Sequence, residues 1–500
     1  MTPEAARASA AQETAHASPA PSPSSHVDGV RLGSGPALRV TDPADLSTVA
    51  EVPTAEPADF ERAVRAARRA FDGWSRTPAD ERAGLVLRFL SALEERRGAL
   101  EETIVAETGA LLRSARTLHV AGAIDHARAA VRIHASLPEE EHNPVPLDDL
   151  AAGGRVAASV LAWEPLGVVA AMPAYNVPLF LALWKVVPAL LTGNTVVLRP
   201  SPLAPLAVLA AGEAAEAAGL PPGVLNVLVE EGTAGAVLMT SAPEVDAVSF
   251  TGSSGVGAAI AAQAAPTHKR VMLELGGKSA GVYLPDAVGR AADGIAVVMR
   301  AMAGQGCVLQ TRVLVPQETK RRVLNEAADR IAALRLGDPR DPATDVGPLI
   351  SDAQVRRCED HVAAARAHGG RVVAGGRARR DLGGHYFEPT VVDLDDTVNP
   401  LAQEETFGPV VSVIGYRDLD HAVELANDTV YGLSGAVFGA ADRALAVARR
   451  IRAGTVLVNG GYFGPFASSG GRRHSGGWRE RGREGIRAYQ QLKHITATSL

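Results

Sequence analysis

Apolar positions along the chain change rhythm near residue 153. Before it the spacing is helical: Phe60, Val64, Ala67 and Phe71 recur every three or four residues, as one buried helix face requires. Thr77-Pro78-Ala79-Asp80 has the make-up of a helix start, with a hydroxyl to cap and a proline in the first turn. Leu85, Phe89 and Leu93 carry the pattern into a helix predicted to run toward Gly109. From Gly153 onward, short apolar runs predict strands over 155–161 and 167–172. Strands and alanine-rich helices then alternate: strand 194–199, helix 205–219, strand 224–229 and strand 245–250. That alternation is the signature of an α/β fold with a doubly wound parallel sheet. The second half repeats the style, with helix 320–334 and strands 371–374 and 410–416. No short-period repeat is present, which excludes a solenoid.

Length and composition narrow the class. A chain of 500 residues supports roughly two to four domains and a large core. Hydrophobic residues at 46% and charged residues at 21% describe an ordinary folded protein. The net charge of −6 is mild and spread out, so nothing points to nucleic acid as a partner. No uninterrupted apolar run approaches the length of a bilayer span, so no membrane association is expected. The first 30 residues, rich in Ala, Ser and Pro, lack the apolar core and basic start of a signal peptide and read as a disordered arm. The two cysteines, Cys307 and Cys358, exclude a disulfide framework and suit a reducing cytoplasm.

Four places carry candidate chemistry. Cys307 follows Gly304-Gln305-Gly306 and precedes the strand-like Arg312-Val313-Leu314-Val315. Small and apolar neighbours would let a carbonyl approach its sulfur, so it is either a nucleophile or a space-filling core thiol. Val248-Ser249-Phe250 runs into Thr251-Gly252-Ser253-Ser254-Gly255-Val256-Gly257, with a helix predicted over 258–264. Glycines at a strand-to-helix turn let backbone N–H groups approach a phosphate, although the spacing departs from GxGxxG and a plain tight turn would look the same. Glu274, in Leu273-Glu274-Leu275-Gly276-Gly277-Lys278, is a carboxylate among apolar residues. Burial would raise its pKa toward general-base range, unless an ion pair holds it. Asn176, between Pro173 and Pro178, offers an amide to a developing oxyanion, or simply turns the chain.

The order and spacing of these residues, with Glu404-Glu405-Thr406-Phe407-Gly408-Pro409-Val410, resemble the NAD(P)-dependent aldehyde dehydrogenase superfamily from about Val27 to the C-terminus. The matching stretches are PAYNVP, PALLTGNTVVLRPS, GLPPGVLNV, SFTGSSGVG, LELGGKS, GQGC, EETFGPV and ANDTVYGLS. The resemblance implies an aldehyde-dehydrogenase-like fold with a Rossmann-type cofactor domain over 31–141 and 167–276 and an α/β catalytic domain over 277–480. It also implies a small β oligomerisation element over 142–166 and 481–500, with 1–30 as the arm. Cys307 matches the nucleophile that forms a thiohemiacetal and then a thioester. Asn176 and the Cys307 backbone N–H match the oxyanion donors. Glu274 matches the base that activates water, with Lys185 and Glu480 as a proton relay behind it. Arg199, Ser201, Gly252, Ser253, Gly257, Glu405 and Phe407 match cofactor-binding positions. No metal is implied.

Departures from the family pattern bear on specificity. Arg199-Pro200-Ser201-Pro202 replaces a lysine followed by serine and glutamate, which leaves both NAD and NADP open, with NAD favoured. Residues 468–476 lack the family's Pro-Phe pair, and Arg473 stands where it has a lysine. Val177, Leu181, Trp184, Val308 and Phe463 match the aldehyde tunnel and are all apolar, so the expected substrate is a hydrophobic aldehyde. A CoA-acylating relative is the alternative, although such enzymes generally lack the base at Glu274. A catalytically silent scaffold and a histidine-activated thiol hydrolase are the others. The family's paired strands imply a homodimer or homotetramer, since an exposed apolar strand such as 156–161 otherwise invites aggregation.

Overall fold

A computed structural model describes residues 23–33, 35–143, 158–461 and 464–497. Parallel sheets are covered by helices on both faces, so their strands must be apolar along their whole length. The chain enters the first sheet early, through the short antiparallel pair β1 (His26–Val27) and β2 (Val30–Arg31). A separate hairpin follows, β3 (Ala37–Thr41) with β4 (Thr48–Pro53). Helices Pro57–Arg76, Ala79–Glu95, Arg97–Thr108 and Ala123–Ala135 then lead to β5 (Glu140–His142) and β6 (Ala158–Pro165).

Next come β7 (Val168–Met172), β8 (Thr195–Leu198), β9 (Leu225–Val227), β10 (Ala247–Thr251) and β11 (Arg270–Glu274). They alternate with helices Pro178–Leu191, Leu206–Ala217, Ala234–Ser241 and Ser254–Ala264. In space the order is β11-β10-β7-β8-β9-β1-β2, parallel from β11 to β9 and antiparallel beyond. Chain order therefore reverses between β10 and β7, and ligands of open α/β sheets sit beyond the carboxyl ends of strands at such a switch point. Asn176 and Gly252 lie just past the carboxyl ends of β7 and β10.

The second sheet holds β12 (Ala280–Tyr283), β13 (Arg312–Pro316), β14 (Arg371–Ala374), β15 (Thr390–Leu394), β16 (Val410–Tyr416), β17 (Ser434–Phe438) and β18 (Thr455–Val458). Its order is β14-β15-β16-β13-β12-β17-β18, with only β14 antiparallel. Finally β19 (Gln490–Ala497) pairs antiparallel with β6, and β5 flanks β6 on its other side. Parts of the two segments expected to form an oligomerisation element thus meet in one three-stranded sheet.

Several local expectations change. The Thr77 hydroxyl donates to the Gly73 carbonyl at 3.1 Å and closes the preceding helix, so Pro78 occupies the N-cap of the next. The helix drawn toward Gly109 is two helices broken at Arg96, whose φ of −97° and ψ of 10° interrupt the turn; Gly109, at φ +70°, ends the second. The helix after the glycine turn begins at Ser254, so Gly255 and Gly257 lie inside it. Gly257 is required for packing, because a Cβ there would lie 2.6 Å from the Leu275 side chain. The helix drawn to residue 334 ends at Ala332. Ordered chain starts ahead of residue 31, since Ser25, His26 and Val27 are buried and β1 pairs with β9. Of the expected arm, 1–22 lies outside the described residues, as do 144–157 in the region of the strand predicted over 155–161.

Candidate active site

The site forms where the carboxyl edge of the first sheet faces the second. Asn176 Nδ2 donates to the carbonyl of Gln305 at 3.0 Å, two residues before Cys307. An amide nitrogen carries two N–H donors, and this bond uses one of them. Cys307 follows a short turn over Met302–Gly304 in which Met302 and Ala303 have positive φ, and it leads toward β13. Gly276 and Gly277, two and three residues after Glu274, let the chain pass close to Cys307 and Glu405. A Cβ on Gly277 would lie 2.6 Å from the Cys307 carbonyl oxygen, and one on Gly276 would strike Glu405 Oε2. The Gly277 N–H donates to Glu405 Oε1 at 2.9 Å. The paired glycines therefore bring Glu274, Cys307 and Glu405 to one place, because any side chain would hold them apart. Phe407, at φ +59°, sets its ring edge-on to Tyr175 with centroids 5.9 Å apart.

Burial dominates the electrostatics. It pushes the Cys307 thiol up to about 12, helped by the negative charges of Glu405 and Glu274. Burial also holds the Glu274 carboxyl well above the usual range, with Glu480 adding to the effect and Lys185 and Arg479 opposing it. Glu274 Oε1 is buried without a hydrogen-bond partner among the described residues. Lys185 Nζ and Glu480 Oε1 form a buried ion pair at 2.7 Å. Lys185 Nζ also reaches Ser249 Oγ at 3.4 Å, which lies 3.0 Å from the Tyr489 hydroxyl. Ser249 and Tyr489 escaped the sequence reading; for Ser249 the available signal was a hydroxyl midway along β10, between Val248 and Phe250. Burial raises the Glu405 carboxyl, while the Gly277 N–H and the Lys278 charge lower it.

The cofactor positions sit along the same edge. Gly252 donates its N–H to the Glu274 carbonyl at 3.1 Å, and a Cβ there would strike the Phe250 ring. Ser253 caps helix Ser254–Ala264, accepting from the Val256 N–H at 3.4 Å. Arg199 Nε donates to Glu230 Oε1 at 3.1 Å and its Nη2 to the Gly232 carbonyl at 2.7 Å. Ser201 Oγ accepts from the Leu203 N–H at 3.3 Å. An open cleft of ≈ 760 Å³ is lined by Tyr175 and Leu203 from the first half of the chain and by Gln354, Arg357 and Glu404 from the second. A glycine turn opening a helix N-terminus and a carboxylate pinned by the Gly277 N–H have the chemistry to hold the phosphates and ribose of a dinucleotide. Among the described residues, no His, Cys, Asp and Glu cluster is arranged to hold a metal ion.

The profile of the aldehyde dehydrogenase family matches residues 31–495. The chain belongs to this family. It is 35% identical over 478 residues to the 3-succinoylsemialdehyde-pyridine dehydrogenase of a Pseudomonas species, covering 94% of this chain and 97% of that one. It is 36% identical to the 3-sulfolactaldehyde dehydrogenase of Pseudomonas putida, covering 94% and 96%. Among solved structures it resembles a mutant aldehyde dehydrogenase C of Pseudomonas syringae in complex with NAD+ and octanal, with TM-score 0.88, 37% identity and coverage of 94% and 96%. It also resembles the betaine aldehyde dehydrogenase of Staphylococcus aureus with NAD+, with TM-score 0.89, 33% identity and coverage of 95% of each chain. The protein is thus an NAD(P)-dependent enzyme that oxidises aldehydes.

The enzyme's expected substrate positions cluster at the start of helix Pro178–Leu191. Val177 is its N-cap, Leu181 is buried and Trp184 is half-buried. Phe180 lies 4.6 Å from the Trp184 ring, and His126 stacks on Trp184 at 5.9 Å. The Arg481 guanidinium sits 4.9 Å from the Trp184 centroid. Burial, and then Arg481, lowers His126 to about 4, so this imidazole is neutral at physiological pH. Val308 is half-buried beside Cys307, and Phe463 lies outside the described residues. The sequence reading missed His126, Phe180 and Arg481, the last of which directly follows Glu480.

Proposed function

We propose that the enzyme oxidises a hydrophobic aldehyde to its carboxylic acid through a covalent intermediate on Cys307. The observation that carries this reading is the Gly276-Gly277 pair, which sets Cys307 and Glu405 together immediately after Glu274. A thiol pushed up to about 12 needs a proton acceptor before it can attack, and Glu274, raised toward base range, is that acceptor. Sulfur then bonds to the aldehyde carbon, and the oxyanion accepts from the second N–H of Asn176 and from the Cys307 backbone N–H. A bound oxidised nicotinamide supplies the hydride acceptor. Loss of hydride leaves a thioester on Cys307. Lys185 and Glu480 carry the thiol's proton away from Glu274. Glu274 then takes a proton from water, whose oxygen attacks the thioester carbon, and returns it to the departing thiolate as the acid is released.

The free, buried Glu274 Oε1 favours hydrolysis over transfer to CoA, because a carboxylate oxygen without a partner is available to water. It equally disfavours a silent scaffold, since a buried carboxylate oxygen without a partner costs stability that a function compensates. Leu181, Phe180 and Trp184 favour a hydrophobic aldehyde, at ~25 cal/mol per Å² of apolar surface buried. Arg481 against Trp184 favours a second reading, an aldehyde whose far end is anionic. The relative named for sulfolactaldehyde fits that second reading, and the octanal complex fits the first. We further propose a homodimer or homotetramer assembled through the β19–β6–β5 sheet, and a cytoplasmic location suited to two free thiols.

A panel of aldehydes, with the product identified in the presence and absence of CoA, tests the proposal. Hexanal and benzaldehyde are expected to exceed succinic semialdehyde in kcat/KM, with free acid as product. A reversed ranking replaces the hydrophobic reading with the anionic one, and an acyl-CoA product overturns hydrolysis. Iodoacetamide should abolish turnover with alkylation at Cys307; full activity of the alkylated enzyme or of Cys307→Ala would remove the nucleophile.

A further inference from the structure

We infer that Glu230 makes this enzyme select NAD over NADP by occupying Arg199. The inference rests on nicotinamide dinucleotide dependence alone and is independent of which aldehyde is oxidised. Arg199 immediately follows β8, and Glu230 comes three residues after its parallel neighbour β9, so both stand at the carboxyl edge where a dinucleotide lies. Taken alone, an arginine there attracts a 2′-phosphate: a guanidinium offers a planar fork of N–H donors and a permanent charge. With Pro202 standing where the family has glutamate, the local sequence leaves that arginine unopposed.

The fold supplies the opposing charge from the next strand. Glu230 Oε1 accepts from Arg199 Nε at 3.1 Å, and the Gly232 carbonyl accepts from Nη2 at 2.7 Å. These bonds use the Nε–Nη2 edge, one of the two edges by which a guanidinium can grip two phosphate oxygens. Glu230 cannot swing away, because its oxygens also accept the Gly235 N–H at 2.7 Å and the Ala236 N–H at 2.9 Å at the start of helix Ala234–Ser241. The pair is shielded from water, with 13% of the Arg199 side chain and 7% of the Glu230 side chain exposed. A 2′-phosphate approaching Arg199 would therefore meet a neutral pair and a fixed carboxylate at ion-pair distance, where like charges repel strongly in a part-buried site. A ribose 2′-hydroxyl is neutral and needs a single donor, which the unused Nη1 provides.

Dissociation constants of NAD and NADP, measured by quenching of protein fluorescence without substrate, test this. The wild-type enzyme should bind NAD at least about tenfold more tightly. Glu230→Gln, which keeps an acceptor for the helix N–H groups but removes the charge, should tighten NADP and narrow the ratio by about fivefold or more. Competition by ADP-ribose against its 2′-phosphate on the wild-type enzyme gives the same ranking with no substitution. Equal binding of the two members of either pair overturns the inference, as does a folded Glu230→Gln enzyme whose ratio is unchanged.

Discussion

Glu274 shows how one residue draws its chemistry from its surroundings. In sequence it is a carboxylate between two leucines; in the fold, burial and the Glu480 charge hold its proton well above the usual carboxylate range. The sign of the pH effect follows. The protonated form is favoured in the folded enzyme, so its contribution to stability is present at low pH and is lost as pH rises through the raised pKa. Base catalysis runs the other way, because the ionised form grows over the same interval. Acid release is therefore expected to rise from neutral toward alkaline pH, and the high thiol pKa of Cys307 acts in the same direction. Glu274→Gln should lose most of the first-turnover burst of reduced cofactor, and steady turnover should fall by ~100-fold or more. Rapid-mixing kinetics read both quantities, and unchanged steady turnover would remove Glu274 from the mechanism. Apolar flanks made this carboxylate conspicuous in the sequence. For Ser249 the sequence offered only a hydroxyl inside a strand, and for Tyr489 nothing, since their tie to Lys185 depends on strands and helices distant along the chain.

Between elements, polar ties span distances that no periodicity reveals. Glu107, fully buried in helix Arg97–Thr108, accepts the N–H of Leu206 at 2.6 Å and of Ala207 at 3.0 Å. It thereby caps helix Leu206–Ala217 from a neighbouring helix, and burial pushes its carboxyl up to about 8 while the two N–H groups pull it down. Removing it strands two buried donors, each worth ~1–3 kcal/mol. Glu107→Ala should destabilise the enzyme by about 2–4 kcal/mol, and Glu107→Gln by less. Denaturant titration checks this, and an unchanged midpoint for the alanine variant would show that the cap contributes nothing. The same limit explains the changed helix boundaries. Thr77 had the chemistry to cap forward, but its hydroxyl found the Gly73 carbonyl one turn behind. Strand positions were easier to read, because apolar runs in a parallel sheet are buried on both faces whichever neighbour they meet.

For the whole molecule, the three-stranded sheet of β19, β6 and β5 leaves Leu492 52% exposed and Ile495 49% exposed along an edge strand. Among the described residues β19 has no outer neighbour, and an open strand with exposed apolar side chains on both faces calls for a covering surface, for which a second copy of this chain is the expected one. Light scattering should report a dimer or tetramer, and Leu492→Asp with Ile495→Asp should shift it toward monomer. A wild-type monomer at micromolar concentration would overturn the assembly.

What the chain determines by itself is set by neighbours in sequence. Apolar rhythm yields the α/β class, and the runs around Cys307, Glu274, Asn176 and Glu405 carry the family resemblance and mark the candidate residues. Tertiary structure alone decided which of those residues meet. Asn176 reaches Gln305 and Glu405 reaches Gly277 only once residues of the two sheets come together, and Glu230 holds Arg199 only once β8 and β9 pair, so each tie joins groups distant along the chain. The physical reason is range. Helix and strand preferences act over a few residues, whereas burial, charge and hydrogen bonding act between whatever the fold brings within a few ångströms.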